Sequence, residues 1–179
     1  MERSSRGLSV AVAIAALAGI SLLALLAVLN RRDQIVGLNQ EIQYDDFAFS
    51  VLGVRKANVL GDEASRADAR GAYYIVTIKI ANHAKRVNYT FKKASAVLVD
   101  AGGREFRISA SGQKAIESPN NNQCSAPIPA GASCITEVVF DVPADTRAAQ
   151  FRISEGGLAG DILDVVFYGK KRIELGSLQ

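Results

Sequence analysis

The sequence predicts an antiparallel β-sandwich of about seven strands, preceded by one transmembrane α-helix. Three observations lead there. An uncharged apolar stretch occupies residues 8–29; short runs of alternating polar and apolar residues follow residue 46; and Gly, Pro and Asn punctuate those runs. With 179 residues, the chain divides into a short tail at 1–7, the apolar stretch at 8–29, a juxtamembrane linker at 30–46 and one domain at 47–179.

Leu8 to Leu29 reads LSVAVAIAALAGISLLALLAVL. As an α-helix this stretch rises about 33 Å, against a hydrocarbon layer of roughly 30 Å. A continuous helix satisfies its own backbone hydrogen bonds in lipid. A buried core helix would carry a polar stripe, and this segment has none. A cleavable signal peptide is the other alternative. Ala16-Leu17-Ala18 meets the small-residue rule for cleavage, but a cut there leaves Ile20 to Leu29 as an apolar tail. The expectation is an uncleaved anchor whose partner is the lipid bilayer. Arg3 and Arg6 on one flank nearly balance Arg31 and Arg32 on the other, so the positive-inside rule alone does not orient it.

The formal net charge of +3 resides in those flanks, because acidic and basic residues cancel over the rest of the chain. A neutral domain does not attract a polyanion at long range, which excludes nucleic acid as the expected partner.

In the linker, Ile35, Leu38 and Ile42 fall at helical spacing and predict a frayed helical neck. Phe47, Phe49 and Val51 alternate with small residues as a first strand. Gly61 to Gly71 is polar and predicts a loop. It leads into Ala72 to Ile80, where Tyr74, Val76, Ile78 and Ile80 share one face. Asn82 to Lys85 reads as the turn that follows. Tyr89 to Val99 and Arg104 to Ala110 predict a hairpin around Asp100-Ala101-Gly102-Gly103, whose glycines supply positive φ. Ser111 to Gly131 reads as a loop. Ile135 to Val142 is a strand with Val138, Phe140 and Val142 inward, and Pro143 ends it. Ala149 to Ile153 and Ile162 to Leu175 complete the set.

Three of these features together resemble a known group: Tyr74-Ile75-Val76-Thr77-Ile78-Lys79-Ile80-Ala81-Asn82, the hairpin Val99 to Phe106, and the Pro-Ala-Gly turn before Val138-Val139-Phe140-Asp141-Val142-Pro143. Their order is similar to that of the bacterial extracellular immunoglobulin-like domains related to the mycobacterial immunoprotective antigen, many of them domains of unknown function. The likeness spans Phe47 to Leu175. It implies an immunoglobulin-like sandwich, secreted by or tethered to a bacterial envelope, with no catalytic residues to carry over. Members are commonly lipoproteins or secreted proteins; here no cysteine ends the apolar stretch to accept a lipid.

Cys124 and Cys134 are the chain's two cysteines. A disulfide between them would close a short loop, stabilising by about 2–3 kcal/mol, and would place the domain in an oxidising compartment. Free thiols and a metal site are the alternatives. Zinc asks for four ligands, and His83, the single histidine, cannot complete a set. The disulfide tips the topology toward a single-pass cell-membrane protein with its C-terminal domain outside the cytoplasm.

His83 is also the one candidate base near neutral pH, yet it has no nucleophile elbow beside it and reads as a solvated turn residue. The acidic residues Asp45-Asp46, Asp62-Glu63, Asp161 and Asp164 lack calcium-loop spacing and read as solvated. Lys85-Arg86, Lys92-Lys93 and Lys170-Lys171-Arg172 read as guards of edges and hairpin tips, or for the triplet as a contact with anionic head groups. Asn88-Tyr89-Thr90 matches a glycosylation pattern without consequence in a bacterial chain. No catalytic, cofactor or metal residues are assigned, so the expectation is a non-catalytic module of the cell envelope, with an unidentified protein or glycan partner. The alternatives are an accessory subunit pairing through its helix at Ala15, Gly19 and Leu23, and a hydrolase with an unrecognised site.

Overall fold

The computed structural model describes residues 16–22, 25–26, 34–117, 124–147, 150–154 and 171–176. Within them the strands are β1 (Gln34–Val36), β2 (Ile42–Tyr44), β3 (Phe47–Leu60), β4 (Ala67–Asn82), β5 (Ala96–Val99), β6 (Glu105–Arg107), β7 (Ser133–Val142), β8 (Gln150–Ile153) and β9 (Lys171–Glu174). A helix, α1 (Ala110–Ile116), stands between β6 and β7. One sheet has the order β1-β9-β8-β5-β6 and the other β2-β3-β4-β7. The all-β, two-sheet sandwich expected from the alternation is present, in keeping with the immunoglobulin-like class.

The period of two in β4 decides what lies where. Tyr74, Val76, Ile78 and Ile80 fill the space between the sheets with Val138, Phe140 and Val142 of β7, against Leu98, Phe151 and Ile173 of the facing sheet. Burying each such side chain is worth about 1.5–3 kcal/mol. The Tyr74 hydroxyl on that face of β4 donates to the Thr146 carbonyl at 2.9 Å. The opposite face carries Tyr73 and Ile75, which join Leu60, Ala67 and Val139 in a second cluster outside the sandwich. Ala115 and Ile116 of α1 cover it. Gly112 permits that approach: a Cβ there would meet Val139 Cγ1 at 2.7 Å and Tyr73 Cε1 at 2.8 Å.

Helix α1 and the strands before β3 depart from expectation. Where Arg104 to Ala110 was to be a strand and Ser111 to Gly131 a loop, β6 stops at Arg107 and α1 begins at Ala110. The Ser109 hydroxyl accepts from the Gly112 N–H and caps it. In the linker, the helical neck is replaced by β1 and β2. Ile42 reaches the main core, and Ile42 to Tyr44 pair with Phe47 to Phe49 across the Asp45-Asp46 turn. Asp45 takes φ of 50° there. Strand pairing outweighed a single heptad of apolar spacing.

The other strand boundaries shift for local reasons. β3 runs on to Leu60 and β4 starts at Ala67, so the Gly61 to Gly71 loop shortens to a hairpin tip. In that stretch Ala67 is buried and Ala69 half-buried while Asp68 and Arg70 are exposed, a strand alternation written in small residues. Tyr89 to Val99 is not one strand: Tyr89 bridges to Ile128, Lys93–Ser95 forms a 3₁₀ turn, and β5 follows. Of the last expected strand, Lys171–Glu174 is β9; 162–170 lie outside the described residues.

Residues 16–22 and 25–26 are helical, and their large apolar side chains Leu17, Ile20, Leu22, Leu25 and Leu26 are exposed. Among the described residues no helix is long and apolar enough to cross a membrane. Most of the span expected at 8–29 lies outside them.

Candidate ligand-binding cleft

A cleft of about 800 Å³ opens where β4 leaves β7, lined by Arg70 and Gly71, by Arg107 through Ser111, and by Asp141 through Pro143. Pairing explains the convergence. β4 and β7 run side by side from Ala81↔Ser133 to Ala72↔Val142, after which β4 continues with β3 alone. The chain leaving β6 is drawn to the same place by the Ile108↔Phe140 bridge and by the Ser109 N–H donating to the Val139 carbonyl at 2.7 Å. Gly71 forms the floor. A Cβ at that position would meet the Ala144 nitrogen at 2.5 Å and the Val142 carbonyl closer still, so the two chains approach as only glycine allows.

Two arginines line this cleft without a carboxylate partner among the described residues. Arg55, Arg66, Arg104 and Arg152 each meet a carboxylate, of Glu137, Asp68, Asp100 and Glu105 respectively, at 3.2 Å or less. Arg70 and Arg107 are exposed, and neither forms an ion pair among the described residues. The Asp141 carboxylate beside them accepts from the Arg70 backbone N–H at 3.1 Å, which holds it to the floor. The Ser109 and Ser111 hydroxyls lie 3.2 Å apart on the wall.

The sequence-derived candidates fall elsewhere. Cys124 and Cys134 are joined in a disulfide with Cα atoms 5.6 Å apart, which removes the free-thiol and metal alternatives. This loop is tied to the end of β4 by Asn82. Its fully buried amide donates to the carbonyls of Val87 at 2.8 Å and Ile128 at 3.0 Å, and accepts from the Ala84 N–H at 3.0 Å. The expected turn thus begins one residue later, with Asn82 as its buried organiser. His83 is half exposed and lies 3.0 Å from Glu41.

The acidic and basic candidates hold the scaffold. Asp62 accepts from the Ala64 and Ser65 N–H groups and the Ser65 hydroxyl, closing the β3–β4 tip; those bonds hold its carboxyl below the usual carboxylate range. Asp161 and Asp164 lie outside the described residues, among which no three metal-ligating side chains gather. Lys93 reaches Glu117 at 2.8 Å. Lys171 and Arg172 do not guard an edge or tip, since β9 is flanked by β1 and β8. Lys171 lies 4.6 Å over the Tyr44 ring, and Arg172 donates to Gln150 at 2.7 Å. Tyr89 of the glycosylation pattern stacks on Phe47, ring centroids 4.0 Å apart.

Sequence reasoning missed the cleft residues Arg70, Arg107, Ser109, Ser111 and Asp141. They are scattered in the chain and meet only through strand register, so no motif announces them.

Residues 36–162 match the model of the family described as a domain of unknown function, DUF4352. The chain belongs to this family. Among solved structures, the DUF4352 sandwich is similar to MPT63, a secreted protein from Mycobacterium tuberculosis, with a TM-score of 0.56 and 15% identity over 81% of this chain and 99% of that one. A conserved hypothetical protein from Bacillus anthracis aligns with a TM-score of 0.53 and 12% identity, covering 66% of this chain and 89% of its own. The yjhA protein from Bacillus subtilis gives 0.52 and 9% identity, covering 78% and 98%. These likenesses confirm the fold expected from the resemblance to relatives of the mycobacterial antigen. Among curated proteins none matches the sequence.

Proposed function

We propose that this DUF4352 protein is a non-catalytic binding module of the bacterial envelope, anchored by residues 8–29 and displayed outside the cytoplasm. The observation that carries the reading is the Cys124–Cys134 disulfide, a bond that persists in oxidising compartments and is rare in the cytosol. The uncharged stretch 8–29 and the exposed leucines of the helical residues 16–22 and 25–26 support lipid as the environment of the N-terminal segment. MPT63, similar in fold, is itself described as secreted.

The strand topology separates the start of β1 from the cleft. Gln34 opens β1 in parallel register with Lys171, whose carbonyl accepts from the Tyr44 hydroxyl at 3.4 Å. Tyr44 pairs with Phe47, and Phe47 with Asn82. Gln34, where the described domain begins, therefore lies at the Asn82 end of β4, and the cleft lies at the other, Ala72 end.

Protease treatment of intact cells, with thiol labelling before and after reduction, tests the reading. The expected result is loss of the domain and labelling of Cys124 and Cys134 only after reductant. A protected domain, or thiols that label without reductant, overturns it. Cross-linking on intact cells should capture a partner on the domain, and none captured counts against a binding role.

A further inference from the structure

We infer that the cleft binds a ligand through an anionic oxygen group, a carboxylate or phosphate, gripped between Arg70 and Arg107. The inference deepens the binding-module reading and rests on it.

The argument is one of uncompensated charge in a formed concavity. Arg70 and Arg107, like Arg86 and Arg147, form no ion pair among the described residues, and of these four they alone line the cleft. They come from separate strands, Arg70 from β4 and Arg107 from β6, so their presence in one cleft is a product of the fold and not of a local basic run. A guanidinium presents a planar fork of donors that fits a carboxylate or phosphate in bidentate fashion. Asp141, whose carboxylate accepts from the Arg70 backbone N–H at 3.1 Å, offsets one of the two charges, and the cleft keeps a net positive charge for a ligand to meet. Ser109 and Ser111 add hydroxyls that donate to remaining anionic oxygens or to ligand hydroxyls. The domain as a whole is neutral, so attraction acts at short range inside the cleft and selects one acidic group, not a long polyanion.

The test titrates the isotope-labelled full chain in neutral detergent micelles with inorganic phosphate, with glucuronate and with glucose, following backbone amide shifts. Saturable movement at Arg70, Arg107, Ser109 and Ser111 is expected with one or both anions and not with glucose. Response to phosphate alone assigns a phosphate-bearing ligand, and response to glucuronate alone a carboxylate-bearing one. R70A and R107A should each weaken binding about tenfold, and R70K or R107K less, since charge survives but the fork does not. Arg86, exposed beyond the far end of β4, is the control, and R86A should bind as the parent does. Unchanged shifts elsewhere show that each variant is folded. Absence of saturable movement with both anions, or binding that survives R70A/R107A, overturns the inference. That outcome leaves the display reading standing if a partner is still captured on intact cells. Anion binding by a domain that protease cannot reach would instead sink the display reading alone.

Discussion

The side-chain amide of Gln113 stands beside Val139 as a substitute peptide group. Its Oε1 accepts from the Val139 N–H at 3.1 Å, while its Nε2 donates to the Glu137 carbonyl at 3.1 Å. β7 is the last strand of its sheet, and its outward backbone groups would otherwise lack a ladder. One side chain of α1 supplies the pairing a further strand would have given.

Gln113→Ala should therefore strand one donor and one acceptor in a mostly dry site. The expected loss of stability is about 2 kcal/mol, read by chemical denaturation. The exposed edge should also raise the tendency to self-associate, visible in light scattering. Wild-type stability and dispersity in this variant would show that the edge is covered by other means.

Asn82→Asp should be more damaging at neutral pH than at acid pH. The amide donates to two carbonyls, of Val87 and Ile128, and a carboxylate in its place donates to neither. Burial against those oxygens raises the pKa of the new acid in the folded state, so stability should recover as pH falls and the carboxyl regains a proton. A loss of about 2–4 kcal/mol at pH 7, shrinking with acidification in denaturation curves, is expected.

Asp100 works with the opposite sign. Foremost its bond from Arg104, with a Nε–Oδ2 distance of 2.5 Å, and then the Arg104 and Gly102 N–H groups hold its carboxyl below the ordinary range. A depressed native pKa gives stability that is present above the unfolded value, about 3.9, and is lost as pH falls through the folded one. Asp100→Asn should lower the melting temperature at pH 7 and leave a shallower acid limb than the parent shows. Parallel limbs would mean that the carboxylate contributes nothing to the β5–β6 turn.

Gly71→Ala should destabilise without any side-chain adjustment to soften it, because the added methyl meets backbone atoms of Val142 and Ala144. Overpacking of this kind costs about 1–3 kcal/mol. Denaturation should register that loss, and the amide spectrum should show displacement along Asp141 to Ala144. An undisturbed spectrum would disprove the close approach.

Much of the sandwich was legible in the sequence because alternation reports which residues face a core. The inward sets of β4 and β7 could be read directly from Tyr74 to Ile80 and from Val138 to Val142. The Asp100–Gly103 turn was equally plain from its glycines. α1 was not, since Ser111 and Gly112 are weak helix formers, and its stability comes from the cover it provides to Tyr73, Ile75 and Val139. β1 and β2 were hidden because three-residue strands carry almost no period, and β1 depends on a partner far away in the chain. The cleft was invisible for the same reason: Arg70, Arg107 and Asp141 acquire meaning only once register sets them side by side.

The parallel pairing of β1 with β9 has a temporal consequence. Gln34 leaves the ribosome long before Lys171, yet Lys171 to Ile173 are its ladder partners. The first strand made must wait for the last, and a chain interrupted ahead of Lys171 leaves Gln34–Val36 without a berth. Completion of synthesis is thereby coupled to the seating of the segment that joins the domain to whatever precedes it.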